Sequence, residues 1–253
     1  MTAVFSAGTG RRWGAPAVPQ LAFIALAAAA WAWTIRSAHR MGNGPGTVGL
    51  GWESFLGVWA VMMVAMMLPT VSGELPVVVR RRLARAFEFA AGYLSVWTVL
   101  GVAAYLATVG AAHLVAPDPR AATAVAALVF TACGLYQFTP AKRAALARCR
   151  PDIEDTSLAS DEPVLATLAR GVQQARWCVA SSWLLMAAII PVGVMNVPAM
   201  IAIFLAMCGE RTQALSDNAR PLVGVASLAM AATTLFHPQL AAGLHGPATH
   251  MTM

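Results

Sequence analysis

Six apolar runs set the limits on how this chain can fold. They cover roughly 18–35, 55–71, 87–109, 121–138, 178–208 and 219–236. A helix needs about 20 such residues to cross a hydrocarbon core about 30 Å thick. Only 11% of the 253 residues are charged and 58% are hydrophobic, whereas a soluble domain carries about 25% charge. A soluble fold has nowhere to hide this much apolar surface. A bundle of helices in a bilayer can expose it to lipid, because each helix satisfies its own backbone hydrogen bonds. The expected fold class is therefore all-α: a polytopic membrane helix bundle with about six transmembrane helices.

The fifth run is too long for one straight crossing. From Cys178 to Cys208 it would reach about 45 Å at 1.5 Å per residue. The stretch Pro191-Val-Gly-Val-Met-Asn196 is too apolar for a turn between two spans, so the pattern predicts one long helix, kinked at Pro191. Six crossings put both termini on one side. That side also holds the basic loops, with Arg80, Arg81, Arg82 and Arg85 after the second run and Lys142, Arg143, Arg148 and Arg150 after the fourth. The positive-inside rule makes it the cytoplasm. The expected organisation is a disordered tail over 1–16, a bundle over 17–236 with a cytoplasmic loop at 139–177, and a flexible tail over 237–253. The loops thus account for the formal charge of +6. The sequence carries no zinc finger, RNA-binding signature or soluble basic domain, so nucleic acid is not an expected partner.

The candidate chemistry centres on Trp59-Ala-Val-Met-Met-Val-Ala-Met-Met-Leu-Pro-Thr70. At about 100° per residue, Phe55, Trp59, Met62, Met63, Met66, Met67 and Thr70 share one helix face. Val58, Val61, Val64, Ala65 and Leu68 form the other, which is expected to face lipid. Two readings of the stripe stand side by side. Thioethers are soft ligands that suit Cu(I), and methionine is also a flexible filler between helices. The six-span topology brings Met66, Met67, Cys133, Cys149 and Cys178 toward the cytoplasmic side. Met186 follows Cys178 on the same face, two turns further along. Cys208 is expected at the opposite end. Reducing conditions in the cytoplasm would keep these thiols free.

Four motifs then occur in order: the methionine stretch, Gly92-Tyr-Leu-Ser-Val-Trp97, Gly134-Leu-Tyr-Gln-Phe-Thr-Pro-Ala-Lys142 and Gly193-Val-Met-Asn196. Together they resemble a bacterial family of predicted metal-binding integral membrane proteins, from about Phe55 to Arg211. The resemblance implies the bacterial cytoplasmic membrane, with the lipid bilayer, a metal ion and a membrane or soluble protein as partners. It also marks two departures. A pair of cysteines near Ala145 to Arg150 is reduced to Cys149. A Cys-x-Gly-Cys-Cys-Trp run reads here Cys178-Val-Ala-Ser-Ser-Trp183, with serine hydroxyls at Ser181 and Ser182 where thiolates would bind a soft metal better.

The sequence reading is a protein that binds or handles copper at the cytoplasmic side. Its metal candidates are Met62, Met63, Met66, Met67, Cys149, Cys178, Met186 and Cys133. The alternative is a membrane scaffold or accessory subunit that uses the same residues for packing. An oxidoreductase lacks support, since there is no dinucleotide fingerprint, CxxCH haem signature or paired intramembrane histidine. No catalytic residue and no cofactor other than copper is expected, and the reading leans away from an enzyme.

Overall fold

The computed structural model describes residues 18–41, 47, 49–72, 82–115, 117–149 and 163–244. Tail 1–16, the arginines at 80 and 81, and the tail beyond 244 lie outside the described residues. The elements are α1 (Val18–Met41), α2 (Trp52–Ser72), α3 (Leu83–Leu114), α4 (Pro119–Gln137), α5 (Pro140–Cys149), α6 (Val164–Ala187), α7 (Ile189–Val192), α8 (Val197–Arg211) and α9 (Gln213–Phe236), followed by a short 3-10 turn, Pro238–Ala241. Six helices are long and apolar enough to cross a membrane. Among the described residues there is no strand.

Side-chain pairs fix the direction of each helix. Gln20 reaches the Ser72 carbonyl, so the start of α1 meets the end of α2. Phe55 meets Tyr105 edge to face and the Trp59 indole donates to the Trp97 carbonyl at 2.8 Å, so α2 and α3 are antiparallel. Arg85 meets Thr167 and Gly171 meets Phe89, so α3 and α6 run in parallel. Arg220 meets the Gln137 carbonyl and Ser227 meets Cys133, so α4 and α9 are antiparallel. One end of the bundle, here the basic end, holds the start of α1, the end of α2, the start of α3, the end of α4, all of α5 and the start of α6.

The region after Cys178 differs from the single kinked helix expected. The chain breaks at 193–196 and turns back. Arg211, at the end of α8, touches Cys178, so α8 retraces the depth that α6 has just covered. Gly193 makes the reversal at φ 112°, a conformation open to glycine and strained for other residues. Asn196 caps α8 by accepting from the Ala199 N–H at 3.0 Å, and Pro198 stands in its first turn, where a missing N–H costs nothing. Gly243 donates its N–H to the Pro191 carbonyl at 2.9 Å. The apolar loop thus meets its backbone needs internally, which a reading based on loop polarity misses. At 15 residues, α8 is about 22 Å long. Counting it, the described helices traverse the bundle seven times. The end of α9 lies at the far end from the start of α1, and Cys208 lies near the basic end.

Three further expectations are revised. The presumed lipid face of α2 is covered: Val58, Ala65 and Leu68 are buried, because α1 packs along α2 and makes it a central helix. Within the supposed loop 139–177, residues 140–149 and 164–177 are helical. α5 and the first half of α6 pack on each other, with Thr167, Gly171 and Ala175 buried. The tail begins later than His237, since Ala241 and Leu244 are buried beside the Gly193 turn.

The tightest helix contact is between α3 and α6. A Cβ on Gly92 would lie 2.1 Å from the Leu168 carbonyl oxygen, and one on Gly171 2.1 Å from that of Phe89. Two glycines thus let the backbones touch, in the manner of small-residue packing in membranes.

Candidate functional site

That contact sets Tyr93, one residue beyond Gly92, directly against α6. The Tyr93 hydroxyl donates to Cys178 Sγ at 2.9 Å and also reaches Met67 Sδ at 3.7 Å. One hydroxyl therefore touches sulfurs from α2 and α6. Cys149, at the end of α5, joins Cys178 through a side-chain hydrogen bond. Gln174, one turn before Cys178, donates to the Cys149 carbonyl and holds the end of α5 against α6. Cys149 and Cys178 are both fully buried and both are free thiols. Met67, Cys149, Cys178 and Tyr93 thus form one buried cluster from four helices, at the basic end of the bundle.

The returning helix adds charge. The Arg211 guanidinium donates to Cys178 Sγ. Its neighbour Glu210 pairs with the Lys142 ammonium at 2.6 Å, and Lys142 also donates to the Ser181 carbonyl. Burial lowers the pKa of Lys142 below its ordinary value, against the opposing pull of Glu210. Buried ion pairs are costly unless their geometry and remaining hydrogen bonds are good. This one ties α5 to the end of α8, and hence Arg211 to Cys178. Ser181 and Ser182 both donate to the Cys178 carbonyl, at 2.8 and 2.7 Å.

The expected residues divide. Cys149, Cys178 and Met67 come together. Met62, Met63, Met66 and Met186 are buried in the same core, so the methionine stripe faces protein. Cys133 stands apart, hydrogen-bonded to Ser227 at 3.7 Å and within the field of Lys142 and Glu210. Among the described residues, no three His, Cys, Asp or Glu side chains gather closely enough to hold a metal ion. A metal held by more than two sulfurs here would need thioether donors as well as the two thiols. Sequence reasoning missed Tyr93, Lys142, Glu210 and Arg211. The one available signal was the presence of Lys142, Glu210 and Arg211 at the edges of apolar runs, where ionisable residues mark function by default.

No curated protein and no solved structure matches this chain. A family profile does: the one described as PpoB2, copper chaperone, matches residues 56–234. That span runs from α2 almost to the end of α9 and takes in every residue of the cluster. On the strength of that match the chain belongs to the PpoB2 copper chaperone family.

Proposed function

We propose that the protein binds Cu(I) as cargo, with Cys149 and Cys178 as thiolate ligands and Met67 as a thioether ligand. Soft sulfur donors select Cu(I) over the oxygen-seeking cations. The observation that carries the reading is the convergence of Met67 and Cys178 on one hydroxyl, with Cys149 bonded to Cys178. Two thiolates around one Cu(I) leave a net negative charge, and Arg211 stands where it offsets that charge. Tyr93 holds the sulfurs in register and must yield its place between them as the ion enters.

The basic end would face the cytoplasm of a bacterium, because Arg82, Arg85, Lys142, Arg143, Arg148 and Arg170 lie there, against Arg36, Arg40 and Arg120 at the far end. Under this orientation α1 begins on the cytoplasmic side and α9 ends on the other side. A partner that hands over or accepts the ion would meet the protein near α5 and the end of α8.

The test is elemental analysis of purified protein after loading with Cu(I), alongside Cys149→Ser, Cys178→Ser and Met67→Leu variants. Stoichiometric copper is expected in the parent, almost none in the two serine variants, and weakened retention in Met67→Leu. Substoichiometric copper in the parent would overturn the proposal and leave the cluster as packing.

A further inference from the structure

The core holds more sulfur than the cluster uses. Nine methionine side chains fall among the described residues, and eight are buried: Met62, Met63, Met66, Met67, Met186, Met195, Met200 and Met207. All eight sit on α2, α6 and the 193–211 hairpin arm, and all belong to one contiguous core. Elements α2, α6 and α7 each pack against α8. Helices α1, α3, α4 and α5 contribute none to this set.

Their depths follow from helix register. Cys178 and Arg211 mark the level of the cluster. Met207 lies one turn from Arg211 toward the far end, about 6 Å away. Met63 and Met62 lie about 6–8 Å from Met67 along α2. Met186 lies about 12 Å beyond Cys178 on α6, and Met200 about 16 Å from Arg211 on α8. Met195 stands in the turn itself, deeper still. Sulfur therefore recurs at about one helical turn of depth from the cluster to the far-end reversal, along the seam where the hairpin arm meets α2 and α6.

We infer that this seam is a thioether conduit, along which Cu(I) passes between the cluster and the far end of the bundle. The inference rests on the copper reading above and adds an activity to it, transmembrane passage of the ion. At each step one Cu–S bond forms as another breaks, and no electron is transferred. An uncharged path of this kind excludes Mg²⁺ and Ca²⁺, which need oxygen ligands. Among the described residues the one buried carboxylate, that of Glu210, lies at the basic end beside Lys142 and outside the seam.

The test uses full-length protein reconstituted into phospholipid vesicles that enclose a copper chelator, with radioactive copper and ascorbate outside. Met200→Leu, Met207→Leu and the double variant keep volume and apolarity, and neither residue belongs to the cluster. We expect the parent to load the vesicles faster than protein-free controls. The double variant should melt at the parent temperature and retain the parent's bound copper, yet lose uptake to the protein-free rate. Uptake by the double variant equal to the parent's would overturn the conduit. So would bound copper in the parent with uptake no faster than the controls, and in that case the binding reading stands. A parent that binds no copper sinks both.

Discussion

The ammonium of Lys142 lies 2.6 Å from a carboxylate oxygen of Glu210, and the two side chains are 0% and 2% exposed. Removing one partner strands the other charge in a place where water cannot reach it. Lys142→Met should therefore destabilise the protein by about 3–5 kcal/mol, and adding Glu210→Leu should recover much of that loss. Denaturation midpoints of the two single variants and the double variant in detergent measure the coupling. Additive losses would show that the pair contributes nothing as a pair.

The same lysine sets a pH dependence. Burial lowers its pKa below the ordinary 10.5, so the folded protein gives up this proton at a lower pH than the unfolded chain does. Between the folded value and 10.5 the unfolded state carries the extra proton, and stability rises with pH. Below the folded value the penalty is present in full. Melting temperature should climb toward the alkaline end of that window in the parent and lose this slope in Lys142→Met.

Glycine positions separate the packed seams from open surface. Gly171→Ala must push α3 and α6 apart, because its new Cβ would lie 2.1 Å from the Phe89 carbonyl oxygen. It should cost about 1–3 kcal/mol or more by overpacking and weaken copper retention by drawing Cys178, on the displaced α6, away from Met67. Gly57→Ala meets nothing within 4 Å and should stabilise α2 by about 0.5–1 kcal/mol through helix propensity. Thermal melts of the two variants give the comparison, and equal effects would contradict the backbone contact.

Ser182 is buried one turn beyond Cys178 and donates to its backbone carbonyl at 2.7 Å. Ser182→Cys would place a third thiol one turn along the same face, and thiolate is the better soft ligand. Copper affinity, read by competition with a Cu(I) chelator, should tighten. An unchanged affinity would mean that this hydroxyl does not face the ion.

Reporter fusions test the traverses. A reporter placed after Leu244 should report the compartment opposite to one placed before Val18, because α8 adds a crossing. Matching compartments would mean that α8 does not span.

Much of the helical layout could be read from the sequence, because apolar length alone separates bilayer helices. The methionine stripe was also legible. Its face is buried, whereas the meeting of Cys149 with Cys178 depends on how α5 folds back on α6, which placing both at one end of the bundle leaves open. The hairpin was hidden because loop polarity is a poor guide when the turn supplies its own partners, in Asn196, Gly193 and the distant Gly243. Tyr93 and Arg211 were hidden for a related reason. Each acquires its role only from contact with Cys178, far away in the sequence, and no local pattern records that contact.

The bond from the Gly243 N–H to the Pro191 carbonyl joins two points some fifty residues apart. The turn at Gly193 has no finished lid until the ribosome has made residue 243. Contacts at the other end of α8, from Glu210 to Lys142 and from Arg211 to Cys178, join residues that are all made earlier. The arm is thus pinned at one end by charge and at the other by a segment lying beyond α9 in the chain.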